Sequence, residues 1–199
     1  MKKYEMLPDE SGLYRIRALI DIPAHDVEKG DLGGLIERED NLSHDGDCWI
    51  DLNATARGSV WIRGNTLLHG HSQVTGNVII RDNVEIFGHA KISGYVSIVD
   101  EVVVCDSAVV TGTCRLDGHT VIRGDAQVKK ATDYLVFRNT WSSGRYFTWT
   151  RSNNMWSVGC FYGTGEELIK KAYADSEISG REYERVVKYV ESILEDEKK

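Results

Sequence analysis

Three histidines stand where one of them could serve as a general base. His71 and His89 are eighteen residues apart, and His69 precedes His71 by two positions. Because imidazole titrates near neutral pH, a positioned histidine can take a proton from an attacking nucleophile. His119 occupies a comparable sequence context further along the chain, so a role in turn formation is the alternative interpretation of all these histidines.

A second group of residues could bind a small anion. Arg63 and Arg81 are also eighteen residues apart, and Trp61 precedes Arg63 by two positions. Two guanidinium groups on one face could hold a phosphate or carboxylate, and the indole could stack on a base. A solvated arginine ladder, relieved by Asp117 and nearby acids, is the alternative. We predict a site here for a nucleotide-like ligand.

A third group lies near the C-terminal end, where cations and large rings are close in sequence: Arg145, Tyr146, Trp149, Arg151 and Trp156. This composition suits a nucleotide or a protein contact. Simple alternation along a strand would place about half of these residues in a core. We predict that Arg145, Trp149 and Arg151 take part in ligand binding.

The composition excludes several function classes. The 24 basic residues are outnumbered by 31 acidic ones, which gives a net charge of -7, so we expect no double-stranded nucleic acid partner. No apolar run reaches about 18 residues, so we predict a cytosolic protein with no membrane partner. The four cysteines form no C-x-x-C pair, and we predict reduced thiols and neither a metal site nor a cofactor. Phosphate-loop, dinucleotide-binding and common hydrolase motifs are absent from the sequence.

The elements that must position these side chains come from a six-residue repeat between Gly46 and Lys129. Its fourteen hexads read GDCWID, LNATAR, GSVWIR, GNTLLH, GHSQVT, GNVIIR, DNVEIF, GHAKIS, GYVSIV, DEVVVC, DSAVVT, GTCRLD, GHTVIR and GDAQVK. The fifth position is Ile, Leu or Val in thirteen hexads, and the third is always small or β-branched. A repeat sustained over this length determines the fold class.

The spacing of these positions predicts a mainly β protein built on a left-handed parallel β-helix. The third and fifth residues of each hexad point inward from a short strand, and Gly or Asp at the first position forms a corner. Three strands close a coil of eighteen residues, and coils stack about 4.8 Å apart. Ile62, Ile80 and Ile98 should therefore form one inner column, and residues eighteen apart should share an outer face.

One outer face of this predicted helix is apolar, which favours self-association. It carries Trp49, Leu67, Glu85, Val103 and Val121, with Phe87 and Cys105 beside them. An exposed stripe of this length is unfavourable on a monomer. We predict a homotrimer.

The flanking segments lack the repeat. We predict an N-terminal cap and lead-in segment over residues 1–45 and a C-terminal β-meander with two helices over residues 130–199. The meander strands are predicted at Tyr134–Arg138, Arg145–Arg151 and Met155–Phe161. S/T-x-x-E capping boxes predict that helices begin after Thr164 and Ser179.

The repeat resembles that of hexapeptide-type left-handed β-helix acyltransferases, on the spacing of Ile62 to Thr66, Ile80 to Val84 and Ile98 to Val102. The resemblance implies acyl transfer from a coenzyme A thioester in a cleft between subunits, with a corner histidine as base. Glycine here follows the aliphatic residue by two positions instead of one, and the long loop that carries a catalytic histidine in that family is absent.

Two further resemblances involve the flanks. GGLIEREDNLSHDGDCWIDLNA, residues 33–54, is similar to the YdcK-type β-helix proteins of bacteria and phages. VGCFYGTGEELIKKAY, residues 158–173, is similar to a module found at the ends of phage and prophage proteins. This second similarity implies a phage or prophage origin.

Three functions are compatible with these patterns. Our leading hypothesis is a non-catalytic, trimeric phage or prophage accessory protein in the host cytosol, which binds a small anionic ligand or a host protein and counters a host defence. The second is a coenzyme A-dependent acyltransferase with His69, His71 or His89 as base. The third is a structural or assembly protein.

Overall fold

The computed structural model describes residues 2–197. The chain forms two compact units, one ending at Asp133 and the other beginning at Tyr134. The first unit contains the N-terminal segment together with the repeat, and the second contains the remaining strands and both helices.

Each hexad of the repeat holds one short strand. The strands are β4 (Trp49–Ile50), β5 (Thr55–Ala56), β6 (Ser59–Ile62), β7 (Leu67–Leu68), β8 (Gln73–Val74), β9 (Asn77–Ile80), β10 (Glu85–Ile86), β11 (Lys91–Ile92), β12 (Tyr95–Ile98), β13 (Val103–Val104), β14 (Val109–Val110), β15 (Thr113–Leu116), β16 (Val121–Ile122) and β17 (Gln127–Val128). They form three parallel sheets, in the orders β5-β8-β11-β14-β17, β4-β7-β10-β13-β16 and β6-β9-β12-β15. The predicted parallel β-helix is confirmed.

The interior of the coil is aliphatic. Ile62 pairs with Ile80 and Ile80 pairs with Ile98 in parallel register, and all three side chains are fully buried. The third residue of every hexad is buried as well, which leaves no room for larger side chains. The predicted inner column is confirmed.

The corners explain why position one is Gly or Asp in thirteen of the fourteen hexads. Gly94 has φ +94°, and a Cβ there would lie 2.5 Å from the carbonyl oxygen of Gly112 on the next coil. Aspartate takes the same left-handed conformation at other corners, as at Asp106, with φ 59°. Its carboxylate accepts a hydrogen bond from the Gly124 N–H on the next coil at 2.9 Å, so the side chain also ties neighbouring coils.

The N-terminal segment extends one sheet and covers its neighbour. Strands β1 (Tyr4–Pro8), β2 (Tyr14–Ala18) and β3 (Leu32–Ile36) add to the β5 edge, with β1–β2 and β2–β3 antiparallel and β3–β5 parallel. Two 3-10 turns lie at Pro23–His25 and Glu39–Asn41. Trp49, predicted to face outward, is only 1% exposed, because this segment packs on it: a Cβ on Gly33 would lie 2.6 Å from its ring.

Lys3 fixes the N-terminal segment to the first coil. Its side chain is buried, and Nζ donates hydrogen bonds to the carbonyl oxygens of Gly46, at 3.1 Å, and Cys48, at 2.7 Å. These bonds satisfy a charge that would be costly to bury without partners.

The second unit packs two helices on an antiparallel sheet. Its elements are β18 (Tyr134–Arg138), β19 (Tyr146–Thr150), β20 (Met155–Val158), β21 (Phe161–Gly163), α1 (Gly165–Asp175) and α2 (Glu177–Asp196). The predicted third strand ends at Val158 instead of Phe161, because Gly159, with φ 57°, turns the chain into a fourth strand.

The two helix starts have different outcomes. Thr164 caps α1, and its side chain accepts a hydrogen bond from the Glu167 N–H, which completes the predicted capping box. The prediction that the second helix begins after Ser179 is wrong. Ser176 is the N-cap of α2, and its side chain accepts a hydrogen bond from the Ser179 N–H. Neither helix in the described residues has the length and apolar character needed to span a bilayer.

Candidate functional site

The three predicted base candidates lie in two different environments. The His71 and His89 rings stack on each other with centroids 5.1 Å apart and planes 7° apart. The His69 ring instead stacks on Phe87, with centroids 4.8 Å apart. The repeat therefore stacks one pair of histidines and separates the third from them.

His69 is paired with a carboxylate. Leu67 of β7 lies beside Glu85 of β10, and this register brings Glu85 Oε1 to 3.0 Å from His69 Nε2. When Nε2–H donates to Glu85, the lone pair is on Nδ1, and the carboxylate holds the ring in that tautomer. This is the arrangement that orients a general base.

A cavity of about 560 Å³ lies beside His69, and we call it the N-terminal cavity. The repeat contributes Trp49, Asp51, Leu52, Leu67 and His69 to its lining. The N-terminal segment contributes His25, Asp26, Val27, Asp31 and Leu32. The cavity thus combines apolar walls with acidic side chains and an oriented histidine.

His25 is a functional candidate that the sequence patterns did not reveal. Its Nε2 atom is buried and has no hydrogen-bond partner in the part of the chain that the structure describes. Burial lowers the pKa of His25, which keeps the imidazole neutral at neutral pH. His25 lies in an aperiodic turn outside the repeat, so its position could not be derived from the spacing.

Of the predicted anion-binding residues Trp61, Arg63 and Arg81, only Trp61 lines a second, open groove. This aromatic groove has a volume of about 600 Å³, and its lining includes Trp61, Ile79, Tyr95 and Arg38. The Arg63 guanidinium lies over the Trp61 ring, 4.7 Å from its centroid, whereas Arg81 pairs with Asp82 at 2.7 Å. The two arginines therefore have separate partners in the protein.

The C-terminal candidates do not form one site. Trp149 is fully buried in the core of the second unit, where its Nε1–H donates to Asn154 Oδ1 at 2.8 Å, so it cannot contact a ligand. Arg151 lies over the Trp149 ring and pairs with Glu197. Arg145 is exposed and precedes β19, whereas Arg151 follows it, so the two arginines flank opposite ends of the strand.

Metal-ligating side chains are not clustered. Within residues 2–197, no group of three or more His, Cys, Asp or Glu side chains could hold a metal ion. The stacked pair of His71 and His89 has no third ligand of these types among the described residues.

Comparison with known proteins gives one partial similarity and no match to a family model. A stretch of 61 residues, 30% of the chain, is 46% identical to a protein of Escherichia coli described as the uncharacterized acetyltransferase YdcK. The stretch amounts to 18% of that protein, so the chain matches less than a fifth of its length. Together with the parallel β-helix, this similarity makes the chain resemble a β-helix acyltransferase.

Proposed function

We propose that the chain is an acyltransferase that moves an acyl group from a coenzyme A thioester to an acceptor in the N-terminal cavity. His69 is the general base, and Glu85 orients it. The observation that carries the proposal is the 3.0 Å contact between His69 Nε2 and Glu85 Oε1 beside that cavity.

The chemistry follows from this geometry. His69 Nδ1 takes a proton from the acceptor's nucleophilic nitrogen or oxygen as that atom attacks the thioester carbonyl. The new bond to carbon forms, the carbon–sulfur bond breaks, and the departing thiolate receives the proton from the imidazolium. The products are the acylated acceptor and free coenzyme A.

Three features support this assignment over the alternatives. The cavity volume lies within the range of about 300–1,000 Å³ that is typical of small-molecule sites. Its apolar lining by Leu32, Leu52 and Leu67 suits the carbon skeleton of a substrate. The hexapeptide repeat and the partial similarity to an acetyltransferase favour the same reaction class.

Release of free thiol from acetyl-coenzyme A, measured against a panel of amine and alcohol acceptors, tests the proposal. We expect His69→Gln to lower turnover by about 10²- to 10⁴-fold, the usual contribution of a general base, and Glu85→Gln to lower it less. His119→Gln is the matched control, because His119 Nδ1 pairs with Glu101 at 2.8 Å but His119 does not line the cavity. Thiol release that is unchanged in His69→Gln would contradict the assignment.

A second candidate function is the binding of a small anionic ligand by the aromatic groove. The exposed Trp61 ring and the nearby Arg63 guanidinium favour it. A cyclic nucleotide should then raise the melting temperature, and Trp61→Ala with Arg63→Ala should abolish the rise. The phage origin, the defence-related role and the homotrimer remain predictions, and native mass spectrometry would test the last of these.

A further inference from the structure

We infer that the acceptor bound in the N-terminal cavity is cationic and is a primary amine. This inference rests on the proposed acyl transfer and names the class of its second substrate. Its basis is the charge of the side chains that surround the cavity.

Among residues 2–197, three carboxylates line the cavity, and no lysine or arginine does. The acidic residues are Asp26, Asp31 and Asp51. Across residues 2–197, none of these three forms an ion pair with a basic side chain. Within the described part of the chain no direct ion pair therefore neutralises these carboxylates, and the Arg15 guanidinium donates to the backbone oxygen of Leu52 at 2.9 Å instead.

Two of the carboxylates are positioned by the backbone and still have acceptor capacity. Asp31 Oδ2 accepts a hydrogen bond from the Glu28 N–H at 2.8 Å, and Asp51 Oδ1 accepts one from the Leu52 N–H at 2.9 Å. In each case one oxygen is engaged, and the other can accept from a ligand. An ammonium group, which has three N–H donors and a positive charge, matches this arrangement.

The charge pattern also selects against other acceptors. Carboxylates around a partly apolar cavity concentrate a negative potential, which attracts cations and repels anions. An alcohol would gain nothing from that potential. The apolar side chains of Leu32, Leu52 and Leu67 would contact the carbon skeleton of the amine.

The reaction balances for an amine. The bound ammonium first loses one proton to solvent, and the neutral amine nitrogen attacks the thioester carbonyl. The carbon–nitrogen bond forms and the carbon–sulfur bond breaks. The second nitrogen-bound proton moves to His69 Nδ1 and then to the departing thiolate. The products are an amide, coenzyme A with a free thiol, and one proton released to solvent.

Calorimetric titration with amine and alcohol pairs of matched shape tests the inference without requiring turnover. Glucosamine is compared with glucose, and butylamine with butanol. We expect at least one amine to bind roughly tenfold more tightly than its partner alcohol, because hydrogen bonds to charged groups are the stronger ones. Higher salt should weaken amine binding and leave alcohol binding unchanged.

Variants of the carboxylates test which of them bind the amine. Asp51→Asn and Asp26→Asn should each weaken amine binding by about threefold to tenfold. At position 51, asparagine keeps the side-chain oxygen that accepts from the Leu52 N–H. At position 26, it tolerates the left-handed backbone, with φ 53°. Both variants should therefore fold. Glu10→Gln is the control, since it removes one negative charge outside the cavity lining.

Equal affinity for both members of each pair, including no measurable binding by either, would overturn the inference, as would unchanged amine binding in both asparagine variants. The proposed function fails separately. Amine-selective binding with no thiol release would remove acyl transfer and keep the cation site. Thiol release that is equally fast with glucose and glucosamine, without amine-selective binding, would keep acyl transfer and remove the amine preference.

Discussion

The two units of the molecule fill their interiors with different side chains. The β-helix is filled by Ile, Leu, Val, Ala and other small residues, and its large rings lie outside, with Trp61 45% and Tyr95 67% exposed. The second unit has the opposite arrangement: Phe147, Trp149 and Trp156 form its core under α1 and α2. A coil of three short strands has a narrow interior, whereas a sheet under helices leaves a layer thick enough for rings.

This difference determines which side chains of each unit can contact a ligand. In the repeat the aromatic and charged side chains are directed outward, so the surface columns are free to carry chemistry. In the second unit the rings stabilise the fold, and the same residue types say little about binding.

Two tryptophans test the comparison most strongly. We expect Trp149→Ala to lower the free energy of unfolding by about 3–5 kcal/mol, because it removes a buried ring and leaves a cavity. The matched change Trp61→Ala, at a half-exposed ring of the β-helix, should cost less than about 1 kcal/mol. Urea denaturation of the full chain, followed by circular dichroism, measures both. Similar losses for the two variants would contradict the comparison.

Two neighbouring isoleucines test the interior of the coil. Ile80→Ala should cost about 2–5 kcal/mol, since its side chain is fully buried between Ile62 and Ile98. Ile79→Ala changes the adjacent residue, which points outward and is 48% exposed, and should cost about 0.5 kcal/mol or less. The same urea denaturation measures both variants. A large loss of unfolding free energy for Ile79→Ala would show that the outer face carrying Ile79 is covered.

The N-cap of α1, in the second unit, should contribute less to stability than the buried side chains above. Thr164→Ala removes the hydrogen bond from the Glu167 N–H and should lower the free energy of unfolding by about 1 kcal/mol. Thr164→Ser keeps a capping hydroxyl and serves as the control. If the serine variant lost as much stability as alanine, the effect would come from packing of the methyl group instead of the cap.

The reactivity of the cysteines can be compared in the unmutated protein, without any loss of stability. Cys48, Cys105 and Cys114 are buried in the first unit, and burial raises the pKa of Cys105 and Cys114 to about 11. Cys160, in the second unit, is exposed. In the native protein, iodoacetamide should modify Cys160 first and the three buried thiols roughly a hundredfold more slowly, since a local opening must expose them before they react. Peptide mass spectrometry measures the order, and modification of Cys48 as early as that of Cys160 would contradict a closed coil.

The repeat could be predicted residue by residue because its period assigns each side chain to the inside or the outside. Ile62, Ile80 and Ile98 followed from that rule alone. Trp49 obeys the same rule, but it is buried by a segment that has no period. Trp149 could not be assigned, because alternation along a single strand does not say which face the helices cover.

Only the part of the candidate site that the repeat contributes could be predicted from the sequence. The eighteen-residue register brings β10 beside β7 and thereby Glu85 to His69, although the pairing of these two side chains was not foreseen. His25, Asp26 and Asp31 come from the aperiodic turn and strand of the N-terminal segment. Their approach to the first coils depends on tertiary packing, for which single-sequence patterns carry no signal.

Loss of chain length would affect the inside and the outside of the coil differently. Deleting the hexad 70–75 would still direct small and aliphatic residues inward, since every hexad supplies them at the same places. The outer surface, however, would rotate by one side, so Ile79 would leave Trp61 and Glu85 would leave His69. Only whole coils can be gained or lost without separating such neighbours, so duplication in steps of eighteen residues is how this rod can lengthen and keep its surface chemistry.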